Sequence, residues 1–84
     1  MENRAGLDQA LTERRLSREL LELRTAIELV GRGDVERVSL AGLRFAEQLI
    51  RRCRAEAARQ GVALDPDWWP EDAGCDLVVR RIDG

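Results

Sequence analysis

The chain has 84 residues, 44% of them apolar and 36% charged, with a net charge of −2 and no histidine. That length allows one small domain with a marginal core, and the apolar content excludes disorder over most of it. The missing histidine removes the commonest general base, metal ligand and pH switch together, and with them any Ser-His or Cys-His nucleophile pair.

Other exclusions rest on what is scarce. Two cysteines, Cys53 and Cys75, are too few for a disulfide framework and read as free thiols. They also lack the close Cys-x-x-Cys spacing of a zinc site, so no metal and no cofactor are expected. No apolar run nears the roughly 20 residues of a membrane span. The opening MENRAGLDQA has no signal-peptide core, so the expected compartment is the cytoplasm. All 14 basic residues are arginine, the side chain suited to forked carboxylate pairs and to stacking on rings. Residues 1–60 carry 12 arginines against 10 acids, and residues 61–84 carry 2 against 6, which joins a mildly basic body to an acidic tail.

In chain order, residues 1–31 read as helix one. Leu16, Leu20, Leu23, Ile27 and Val30 fall at spacings of 4, 3, 4 and 3, a heptad seam that strands do not produce. Those five are the expected self-association surface. Asp8 is a candidate cap, with a start as early as Asn3 as the alternative. GRGD, residues 31–34, ends the helix, with Gly31 as the left-handed residue and Asp34 as cap of the next element. Residues 34–61 then read as helix two, closed by Gly61. Its apolar face takes Val38, Phe45, Leu49 and Cys53 beside Leu43, Ala46, Ile50 and Ala57, with Gly42 allowing close approach of helix one. The β-branched content of VERVSL also permits a short extended piece there. The short connection predicts an antiparallel hairpin.

The tail, residues 62–84, holds both tryptophans. Asp65 as cap and Pro66 at the first helical position predict one helical turn bearing Trp68 and Trp69, stopped by Pro70. EDAG reads as a turn, and CDLVVRRI supplies one strand over residues 77–82. A lone strand needs a partner: residues 61–64, its own copy, or another protein's sheet. The expected fold is therefore mostly α: an antiparallel helical hairpin with a short Trp-containing turn and one C-terminal strand, completed by dimerisation. VERVSLAGLRFAEQLIRRCRAEAARQGVAL does have the strand–helix–strand rhythm of an anti-anti-sigma-type regulatory domain. The segment before it reads helical where such a domain needs strands, so no family resemblance is drawn.

Catalysis finds little support. GRGDV lacks the Gly-Lys-Ser/Thr of a phosphate loop, each acid has arginines nearby, and Cys53 among Arg51, Arg52 and Arg54 reads first as a small buried residue. No enzyme is expected. Tryptophan is the residue type most enriched in binding hot spots, which points to a non-catalytic protein-interaction module. It would act as a homodimer and as an adaptor or accessory subunit of a larger complex. The partner-binding residues on this reading are Trp68, Trp69, Arg51 and Arg52. One ring is expected in the body's core and the other on an interface. The alternative is a small nucleic-acid-binding regulator using the Arg-rich second helix.

Overall fold

The computed structural model describes residues 4–70 and 74–82. Helix α1 runs Arg4–Arg32 and passes through Asp8, so that residue is no cap. The alternative start at Asn3 lies outside the described residues, as does most of the turn expected over residues 71–74. The helix ends slightly later than the sequence suggests. Gly33 (φ 83°) takes the left-handed position; its amide donates to the Val30 carbonyl at 3.0 Å, and the Asp34 amide donates to the Leu29 carbonyl at 3.0 Å. That double bond pattern satisfies carbonyls a helix end otherwise leaves free.

The rest of the chain overturns the helical hairpin. Strand β1 occupies Arg37–Leu43, helix α2 begins only at Ala46 and ends at Arg59, strand β2 spans Val62–Trp68, and strand β3 spans Cys75–Arg81. The protein is an α+β fold with a three-stranded antiparallel sheet in the order β1-β3-β2. Two segments read as helical are strands, the first of them where VERVSL left a short extended piece open, and in both the pairing with β3 decides. Val38 and Leu40 alternate with Arg37, Ser39 and Ala41, a period of two that lets β1 lay apolar side chains on one face. Gly42, at φ 68°, then sits where β1 shifts register against β3, and its amide donates to Asp76 Oδ1 at 3.0 Å. Asp65 and Pro66 do not start a helical turn, because β2 can pair with β3 along its whole length, from Val62↔Arg81 to Trp68↔Cys75. Pro66 is tolerated because β2 lies at the sheet edge, where a missing N–H need cost no ladder bond. The pairing of residues 61–64 with the C-terminal strand, one of the expected options, is present and extends further.

With β1 between them, the helices run parallel. Glu19 of α1 meets the start of α2, while Gly31 and Gln60 approach each other at the far ends. Both helices cover one face of the sheet. The core joins Leu23, Ile27 and Val30 of α1 to Leu49, Cys53 and Ala57 of α2 and to Leu77 and Val79 of β3. Burying each such aliphatic side chain is worth about 1.5–3 kcal/mol. The heptad seam is thus used within the chain: Leu23, Ile27 and Val30 are buried against the sheet, and Leu16 and Leu20 are half-buried beside them. Residues 4–15, about 18 Å of helix, overhang the end of the sheet where β2 finishes, and the long dimension of the molecule is 56 Å.

Candidate functional site

Strand geometry decides where the two tryptophans go. Neighbouring residues of an extended chain point to opposite faces, so the rings do not share a pocket. Trp68 pairs with Cys75, whose side chain is buried under the helices, and so lies on the helix-covered face. Trp69 lies on the opposite face, near Gly42 and Gly74, with its amide donating to the Gly74 carbonyl at 3.0 Å. Neither ring enters the core: Trp68 is 54% exposed and Trp69 38%. The expected division into one core ring and one interface ring is replaced by two exposed rings on opposite faces.

Trp68 stands between two hollows beside the first turns of α2. One, of about 330 Å³, is lined by Leu43, Arg44, Phe45, Ala46, Glu47, Gln48, Gly74 and Trp68. The other, of about 290 Å³, is lined by Glu47, Ile50, Arg51, Arg54, Pro66 and Trp68. The ring is therefore a ridge between two hollows of mixed lining, apolar side chains beside arginines and Glu47. Arg51 is held by Glu47 at 3.2 Å, an exposed i,i+4 pair that a competing carboxylate can displace at little cost. Of the four residues singled out in the sequence, Trp68 and Arg51 come together here. Trp69 is on the other side of the sheet. Arg52 is one position on from Arg51 and hence about 100° around the helix, and its charge reaches Cys53 instead. Arg54 was missed, although its spacing of three from Arg51 would have placed it on the same flank.

The residue that positions this end was also missed. Glu19, one of the acids with arginines nearby in the sequence, is only 5% exposed. Its carboxylate accepts from the Arg44 amide at 3.0 Å and the Phe45 amide at 3.0 Å, and Arg15 Nε lies 3.7 Å away. Phe45 at the helix start makes no side-chain cap bond, so Glu19 supplies from another helix the anion that a helix N-terminus favours. Engaged this way, the carboxylate ties α1 to the start of α2.

Neither thiol is activated. Burial pushes Cys53 above the ordinary 9.0, with Arg24 and Arg52 opposing only in part and Glu56 adding to the rise. Burial likewise raises Cys75, opposed by a backbone hydrogen bond from Asp67 and reinforced by the Asp76 and Asp67 charges. At the far end of the sheet, an arginine-rich cleft holds Arg32, Arg37, Arg80 and Arg81. Arg32 pairs there with Asp34 and Arg80 with Asp65, while Arg81 donates to the Val30 carbonyl. Among the described residues no cluster of three or more His, Cys, Asp or Glu is arranged to hold a metal, and no helix is long and apolar enough to cross a membrane. Comparison with protein-family models, with curated proteins and with solved structures gives no match to this chain.

Proposed function

We propose that the protein is a non-catalytic interaction module that grips a short segment of a larger protein at the Trp68 ridge. The observation that carries this reading is the exposed indole on a strand end, flanked by two hollows in which apolar side chains mix with Arg44, Arg51 and Arg54 and with Glu47, which lines both. Such a surface complements an apolar side chain next to carboxylates: the ring excludes water from the apolar group, and the guanidinium forks meet the acids. Rigid presentation of the ring lowers the ordering cost of docking.

Selection from a displayed peptide library on the immobilised protein tests this. Enriched binders should carry Asp or Glu beside an apolar or aromatic residue. Trp68→Ala should weaken them by about 2 kcal/mol or more, near thirtyfold in Kd, and Arg54→Glu should act in the same direction. Arg59→Glu, on the far turn of α2, should leave them unchanged. Binders indifferent to Trp68→Ala, or no enrichment at all, would falsify the reading.

A second reading has one specific observation behind it. Arg52 and Arg59, seven positions apart and so on one side of α2, are exposed, and among the described residues neither makes an ion pair. A phosphate backbone would suit that face. Binding of nucleic acid should then fall steeply with added salt and be lost on Arg52→Glu; salt-insensitive or absent binding removes this alternative.

A further inference from the structure

The two edges of the sheet are guarded unequally. An edge strand exposes a row of unpaired amides and carbonyls, and proteins blunt such edges with proline and charge. Edge strand β2 carries Asp65, Pro66 and Asp67 in succession. Edge strand β1 carries neither proline nor charge over residues 38–43. Its apolar side chains are also unfinished. Val38 pairs with Val79 and Leu40 with Leu77; in each pair the β3 member is fully buried while the β1 member, packed beside the core, is only half-buried.

We propose that β1 pairs antiparallel with β1 of a second copy about a twofold axis at Ser39, giving a continuous six-stranded sheet. The sequence of the strand selects both partner and register. A shift by one residue would turn every side chain to the wrong face, so only registers centred on a residue are allowed. Centring on Ser39 sets Val38 against the partner copy's Leu40 on the helix-covered face, closing the half-exposed edge of both cores. It also sets Arg37 against Ala41, so no like charges face each other across the join. The regular ladder of β1 with β3 runs from Arg37 to Leu40, so the strand is held straight through the centre of the join. A domain of 84 residues is the size at which self-association commonly supplements a small core. This pairing leaves the Trp68 ridge at the other edge of the sheet untouched and stands whether or not that ridge holds a peptide.

Light scattering combined with site-directed cross-linking tests it. The full chain should have twice its 9.5 kDa mass, retained on dilution to the dissociation range and halved below it. Ser39 lies on the open face of the sheet, and in this register its Cβ is about 4.5–5.5 Å from its symmetry mate. Ser39→Cys should therefore be joined to itself by a short bis-maleimide. Arg37→Cys and Ala41→Cys should cross-link when mixed but not each alone, which reads strand direction. Wild type, whose Cys53 and Cys75 are buried, and Asp65→Cys on the other edge should stay uncoupled. A monomer at all concentrations overturns the proposal. So does a dimer in which Ser39→Cys fails to couple, or in which Asp65→Cys couples equally well.

Discussion

Glu19 shows how one side chain can hold two elements in register. Its carboxylate sits in a nearly dry site against two backbone amides at the start of α2. Removing it leaves those amides without their acceptor and the helix end without its anion. Glu19→Ala is expected to cost about 2–3 kcal/mol, read as a drop in the denaturant midpoint with little change in slope. Glu19→Gln, which keeps an oxygen acceptor but loses the charge, should cost less. The two cysteines yield a pH prediction. Both thiols are raised in the folded protein, so the neutral form is favoured there. Below pH 9 neither state ionises much and the contribution to stability is intact. Above pH 9 the unfolded chain releases the protons first, so stability should fall as pH climbs toward the folded values. Alkylation at pH 8 should correspondingly be slow for the native protein and fast in denaturant.

Among the elements, the C-terminal ends of the helices were legible to within two residues, whereas the start of α2 and most of the strands were not. Gly61 closes α2 as its position suggests, at φ 72° with its amide donating to the Ala58 carbonyl. Gly33 does the same for α1, two residues beyond the glycine favoured from sequence. A Cβ at Gly61 meets nothing within 4 Å, whereas one at Gly33 would come within 2.8 Å of Arg81 Nη2, the group that donates to the Val30 carbonyl. Gly61→Ala should cost about 1 kcal/mol from the left-handed backbone alone. Gly33→Ala should cost more, and the excess should vanish in an Arg81→Ala background, a double-mutant cycle that isolates the contact. The strands eluded the sequence because each depends on a distant partner. Residues 35–45 meet a helical apolar spacing and a strand alternation equally well, and only pairing with β3 decides between them. DPDW matches a helix start locally, yet seven consecutive pairs with β3 outweigh one isolated turn. The Trp68 ridge was half legible for the same reason: residue types could be named, but the face each occupies was set by strand rather than helix geometry.

On the scale of the whole molecule, the overhang of α1 separates stability from surface. Leu7, Leu11 and residues 12–15 are exposed, and the packing of α1 on the sheet begins at Leu16. A chain starting at Arg14 should lose helical signal in circular dichroism yet keep its thermal midpoint within a few degrees, since about 1 kcal/mol shifts it by 4–8 °C at this size. A larger fall would mean that the overhang packs on the body or on a second copy. The strand order carries one more consequence, for the newborn chain. The central strand β3 is the last of the three to be synthesised, and β1 and β2 have no partner without it. Until β3 clears the ribosome, the earlier segments can form helix but no sheet, and β1 waits with both edges bare. Pairing of the sheet is thereby postponed until β3 has been made, and for β1 it depends on long-range closure, the slow class of topology. During that interval the unguarded β1 is the segment most in need of a chaperone.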